Sequence, residues 1–281
     1  MPRTVAQPKA QTKAPARRRK KGAEIPPEHL QELEEIIREA ESIELLEEDG
    51  EPLESEWHVL QIPLLIEVVR QHLGDPSQYY CAGNMFVYYS MEQAEAVKTA
   101  PHTTYKGPDF FVVRGVDGRP LRRYWVAWRE GGRYPDLVVE LVSPSTAKKD
   151  KEENLRFYAE VMHVPEYFWY DPDKDELRGF YLVGGRYEPI TPNEHGWLWS
   201  QILEAYIGVW DGEYQDRRAR WVRLYRADGT LVPTNWEIAE QERQRAEQER
   251  QRAEQERQRA EQAEAELNRL REQLRERGIE L

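Results

Sequence analysis

The order of strand and helix signals along these 281 residues predicts an α/β fold, and three observations carry that prediction. Short runs of β-branched and aromatic residues, at 110–113, 137–139 and 166–170, have the length and composition of buried strands. A segment of helical period, residues 55–73, precedes them, and another follows residue 146. Turn chemistry such as Asp171-Pro172-Asp173 and Gly184-Gly185 separates the later strand signals.

A composition of 39% hydrophobic and 33% charged residues suits a water-soluble chain with a core of one or two domains. No run approaches the roughly 18 apolar residues of a membrane helix, and the N-terminus lacks the apolar centre of a secretory signal, so the chain is expected in the cytoplasm with no membrane partner. Cys81 is the only cysteine, which excludes an intrachain disulfide and a cysteine zinc cluster. The net charge is −12, but the first 22 residues hold eight Lys or Arg and no acid, leaving −20 on the remainder. An acidic body does not by itself point to nucleic acid. Between residues 105 and 135, however, seven basic residues stand against three acids.

Taken in order, residues 1–24 read as a disordered basic arm, rich in Pro, Ala, Lys and Arg. Residues 25–50 read as a helix with Leu30, Leu33, Ile36 and Ile37 on one side, ending near Asp49-Gly50. The domain proper spans 51–232. Its first helix, 55–73, presents Leu60, Leu64, Leu65, Val68 and Val69, with a kink expected at Pro63. The first turn carries Glu54, Glu56 and His58, which either support a site or, for the glutamates, only favour the positive helix terminus. Residues 79–90 read as two short strands or one bent strand, and 124–128 as an edge strand. A meander of three strands follows from Glu166, then a short helix at 196–206 and a terminal hairpin around Ala227-Asp228-Gly229.

From 233 to 281 a charged helix repeats the heptad EQERQRA, with Ala239, Ala246, Ala253, Ala260, Leu267 and Leu274 seven apart. The companion core position holds Glu242, Glu249 and Glu256, so the segment is either a coiled coil that forms a homodimer or a solvated helix whose leucine-rich end alone associates.

The chemistry concentrates at two acids. Glu140 ends the 137–139 run, where an unpaired carboxylate would cost several kcal/mol and so requires pairing, protonation or a metal. Asp109 stands at the mouth of the 110–113 strand after Gly107-Pro108. Downstream, Asp150, Asn154 and Tyr158 recur at i, i+4 and i+8 on one helix face. Two carboxylates on neighbouring strands suffice to hold a hard divalent cation such as Mg2+ or Mn2+, which retains waters for substrate and nucleophile.

Gly107-Pro108-Asp109, Pro135-Asp136 through Glu140, Ser143-Pro144-Ser145-Thr146, Asp150, Tyr158 and Pro165-Glu166-Tyr167 together resemble the bacterial family of putative restriction endonucleases in the PD-(D/E)XK nuclease superfamily, over roughly residues 50–215. The resemblance implies a mixed sheet of about four or five strands flanked by helices. It also implies DNA as substrate, with Asp109 and Glu140 as catalytic metal ligands. The family's lysine two residues after the acid is replaced by Val142, and the helix position to which it usually moves holds Asn154. Lys151, three residues before Asn154, is the expected substitute, ahead of Lys149. Asp136 is assigned a turn or supporting role, as are Asp150 and Tyr158, although Tyr158 also suits a core aromatic. The competing reading is a catalytically silent domain that binds a partner through its C-terminal helix.

Overall fold

The computed structural model describes residues 27–42, 55–99, 107–143 and 149–276. The basic arm, the expected helix end near Asp49-Gly50, Glu54 and the break at residues 144–146 lie outside them. The chain divides into two units, residues 1–44 and 45–281.

The first unit contains helix α1, Pro27–Ser42, on which Leu33, Ile36 and Ile37 are exposed. In the second unit α2, Glu56–Leu73, starts where Ser55 caps it by accepting from the His58 amide, and stops at Gly74, whose φ of 74° ends the helical path. Leu64, Leu65, Val68 and Val69 form its buried stripe, while Pro63 sits inside the helix on the exposed side, where its missing N–H is tolerated.

Strands β1 (Tyr79–Ala82), β3 (Phe110–Arg114), β5 (Leu137–Leu141), β6 (Glu166–Asp171), β7 (Glu176–Val183) and β8 (Arg186–Pro189) form a mixed six-stranded sheet in the order β1-β3-β5-β6-β7-β8. Only β5 and β6 run parallel, joined by a π-helical turn at Lys149–Glu153 and helix α4 at Asn154–Glu160. Every residue of β5 and β6 is buried, consistent with central strands covered on both faces. One face, with Tyr79, Cys81, Phe110, Val112, Val139 and Phe168, packs on α2 and on a second sheet. The other, with Phe111, Val113, Val138 and Tyr167, packs on α4 and on Trp125.

The short helix expected at 196–206 is instead strand β9, Leu198–Ser200, followed by a turn and the start of β10, Ala205–Tyr214. Leu198 and Ser200 are buried with Trp199 less so, a period of two that the tryptophans conceal in the sequence. Strand β10 turns at Gln215 and Asp216, both at positive φ, into β11, Arg217–Tyr225, completing a sheet of order β11-β10-β9. The hairpin therefore lies one strand earlier than the Asp228-Gly229 signal suggests, although Tyr225 does bridge to Leu231. Residues 79–90 hold two strands that do not pair with each other. The second, β2 (Val87–Tyr88), runs parallel to β4 (Trp125–Val126) in a separate ribbon, and α3, Met91–Thr99, follows it without a clear signal in the sequence.

The last helix, α5, runs unbroken from Asn235 to Glu276. Thr234 and Glu237 form a reciprocal capping box at its start. Among the described residues no helix is long and apolar enough to cross a membrane.

Candidate active site

Strands β3 and β5 are antiparallel with Phe110 opposite Val139, so the next pair in register sets Asp109 opposite Glu140. Two backbone donors fix the pair: the Asp109 amide donates to Glu140 Oε2 at 3.1 Å, and the Leu141 amide donates to Asp109 Oδ2 at 2.6 Å. Gly83 lets the end of β1 lie close against Asp109, since a Cβ there would run into the Asp109 carbonyl and the Ile62 side chain.

Helix α4 and its preceding π-helical turn cover the pair. Tyr158 OH donates to Glu140 Oε1 at 2.9 Å, and Asn154 Nδ2 donates to the same oxygen at 3.2 Å and to Asp150 Oδ1 at 3.0 Å. One amide group thus spans two acids, each taking one of its two N–H bonds. Tyr167 OH donates to the Asp150 carbonyl at 2.7 Å, tying the π-helical turn to β6. Asp109, Glu140, Asp150, Asn154 and Tyr158, which the sequence set apart, therefore meet at the C-terminal end of β5.

Burial raises the Glu140 pKa well above the usual carboxylate range, and the neighbouring charges of Asp109 and Asp150 raise it further. Burial likewise raises the Tyr158 hydroxyl, with Glu140 beside it adding to the effect. Among the described residues, the donors to Glu140 are an amide, a hydroxyl and a carboxamide, none of them a cation. Such a concentration of acids at one strand end is where a bound cation gains most.

The other sequence candidates lie apart. Lys151 Nζ donates to Asp171 Oδ2 at 2.6 Å and sits 4.3 Å from the centre of the Trp169 ring. Burial of Asp171 works against its charge, but hydrogen bonds from Lys151 and Lys174 outweigh this and hold its pKa below normal. Glu140 and Trp169 are partners in the β5-β6 register, so Lys151 stands over the adjoining strand, committed to an acid of its own. Asp136 is at the opposite end of β5, where its carboxylate accepts from the Arg114 amide at 2.6 Å and caps the ladder. Glu56 pairs with Arg217 at the surface, 3.1 Å away. His58 docks the start of α2 against the end of β5: Nε2 donates to the Leu141 carbonyl at 3.0 Å and Nδ1 hydrogen-bonds the Ser55 hydroxyl at 2.7 Å.

Nothing in the sequence pointed to a site role for Asp171 and Trp169, which hold Lys151, and Tyr167, which entered only through the family resemblance, braces Asp150. The signal was the run Glu166-Tyr-Phe-Trp-Tyr-Asp171, an uninterrupted buried strand with an acid at each end.

The donor set suits a hard cation. Two carboxylates project on one face, and an ion of the Mg2+ type is commonly held by one or two carboxylates while keeping several waters. Among the described residues no group of three or more His, Cys, Asp or Glu is arranged to hold a metal ion, so an ion here would rest on the two carboxylates and on water.

No curated protein matches this chain. A solved structure of a putative nuclease from Anabaena variabilis is similar over 56% of this chain and 83% of its own, at 12% identity and a TM-score of 0.34. The sequence model of the Uma2 family, described as putative restriction endonuclease, matches residues 27–211, more than half of the chain, and the chain belongs to that family.

Proposed function

We propose that this protein is a Mg2+-dependent or Mn2+-dependent endonuclease that hydrolyses phosphodiester bonds of DNA. The observation that supports it most is the cross-strand pair of Asp109 and Glu140, locked by mutual backbone hydrogen bonds and joined by Asp150. Asp109 and Glu140 would hold the ion. Bound there, it would lower the pKa of a coordinated water and neutralise charge on the scissile phosphate. Tyr158 and Asn154 fix the Glu140 rotamer, so that carboxylate is preorganised before metal arrives. Asn154 also keeps Asp150 and Glu140 apart in charge by placing a dipole between them. In the same proposal, the leucine-rich end of α5 joins two copies of the chain.

A second reading has specific support. Asn154 carries no charge, and Lys151 is occupied by Asp171, so a silent relative that binds DNA or another partner without cutting also fits.

Nicking of supercoiled plasmid in Mg2+ or Mn2+ separates the two. The endonuclease reading expects nicking by the wild type that falls to background in Asp109→Asn and Glu140→Gln. Absence of nicking by the wild type, with activity gained in Asn154→Lys, would instead establish an intact but disarmed site.

A further inference from the structure

Residues 114–133 carry six arginines and two acids, a net charge of +4 in a chain whose total is −12. They centre on the loop between β3 and β4, and at its apex Leu121 projects completely into solvent, with a relative exposure of 102%. A single exposed leucine is ordinary on a protein surface. This one is held out by a braced loop. Arg122 stacks on Tyr80 and Trp125, with its guanidinium carbon 4.7 and 5.2 Å from the ring centres. The same guanidinium pairs with Glu130 at 2.6 Å and donates to the Asp117 and Pro120 carbonyls, closing the loop around itself. Asp117 accepts from the amide and side chain of Arg119, and the Gly118 amide donates to the Pro76 carbonyl. Pro120 restricts the backbone immediately before the leucine. Arg123 and Arg129 are exposed and, with Leu121, line a surface depression.

We propose that this loop is a duplex-contacting element, in which Leu121 enters a base step as an apolar wedge while the arginines around it hold the flanking phosphates. The inference rests on the nuclease reading and adds to it a second contact region remote from the acids. A protein partner fits less well. Stable protein interfaces bury about 800 Å² on each side around an apolar centre, whereas here one aliphatic side chain stands among cations. Wedge insertion needs only one such side chain, with cationic contacts to the phosphates beside it. The loop leaves the end of β3 opposite Asp109, so the five residues of β3 put the root of the loop about 16 Å from Asp109 at roughly 3.3 Å per residue. That is about five steps of duplex at 3.4 Å each, which a single bound duplex covers.

The test is binding of a duplex of about 30 base pairs, labelled at both ends, by the full-length protein in EDTA, so that no cleavage intervenes. Anisotropy reads affinity and energy transfer between the ends reads bending. Arg123→Ala with Arg129→Ala should weaken binding about tenfold or more and reduce the slope of log affinity against log salt by about two. Leu121→Ala should abolish the bend and leave that slope unchanged. Unchanged melting temperatures would confirm that the substitutions, all at exposed side chains, leave the fold intact. Binding and bending by both variants as in the wild type overturns the inference. Wild type that binds duplex without nicking plasmid removes the nuclease reading alone and leaves the loop to be judged by its variants. Failure of the wild type to bind any duplex overturns both. Preference for polyglutamate over duplex, lost in the arginine variant, reassigns the loop to an acidic protein partner and equally overturns the proposal.

Discussion

Glu140 and Glu166 show how differently two buried glutamates are accommodated. Glu140, at one strand end, faces two other carboxylates. Glu166, at the start of β6, accepts from three donors, the Ser200 hydroxyl and the Gln201 and Ile202 amides at 2.6 and 3.2 Å, with the Asp136 charge a smaller influence. Burial still dominates and pushes the Glu166 pKa from 4.5 up to about 7, partly opposed by those hydrogen bonds. A carboxyl whose pKa is raised on folding contributes stability below its unfolded pKa, and this contribution is lost as pH rises through its folded value. Glu166 should therefore make the protein less stable as pH rises from 4.5 to about 7, by on the order of 3 kcal/mol at 1.36 kcal/mol per unit. Melting curves across that interval test it. Glu166→Gln should flatten this part of the pH dependence whatever its absolute melting temperature, and an unaltered slope would show that Glu166 does not titrate there.

At the scale of elements, the junction between β11 and α5 hangs on one buried cation. Arg223 is completely buried, 4.7 Å from the Trp210 ring, and donates to both oxygens of Glu237 and to the Val232 carbonyl. Glu237 is simultaneously the closing residue of the α5 capping box. Although its partial burial works against ionisation, Arg223 and the Thr234 amide hold its pKa below normal. Glu237→Ala should leave a buried guanidinium uncompensated and cost about 3–5 kcal/mol, a fall of roughly 10 °C in melting temperature. Combining it with Arg223→Met should recover most of that loss, because an apolar side chain in the same place needs no counter-charge. If Glu237→Ala melts like the wild type, the pair is not what anchors the helix.

For the whole molecule, α5 is the feature of largest dimension. Its 42 residues extend about 63 Å at 1.5 Å per residue, and the side chains described beyond residue 240 are exposed. Pairs such as Arg243 with Glu240 and Arg257 with Glu254 and Glu261 lie along its own surface, so its repeat sustains an isolated helix without requiring a partner. Exposed Leu267 and Leu270 near the far end are where a second copy would gain apolar contact. Sedimentation equilibrium should therefore give twice the chain mass for the full protein and a single chain mass after truncation at residue 262. The same monomer mass for both would remove the homodimer from the proposal.

What the sequence determined by itself was whatever depends on near neighbours. The helix at 55–73, the buried runs around Val112, Val138 and Phe168, and the charged C-terminal helix were legible from periodicity, because burial on one face imposes a period of 3.6 or 2 whatever lies opposite. The spacing of Asp150, Asn154 and Tyr158 was legible for the same reason. The rest required the third dimension. Gln215-Asp216 turns a long hairpin without an Asn-Gly signal, and β2 pairs with β4 across some forty intervening residues, so their pairing had no local mark. Lys151 could be placed on a helix near Asn154, but only the parallel register of β5 and β6 brings Asp171 and Trp169 beneath it and turns its ammonium toward them. Asp109 and Glu140 lie 31 residues apart, and each was recognisable alone as an acid beside a buried strand. That they oppose each other and share backbone donors was decided by strand register, which depends on contacts between distant segments that the order of residues does not display.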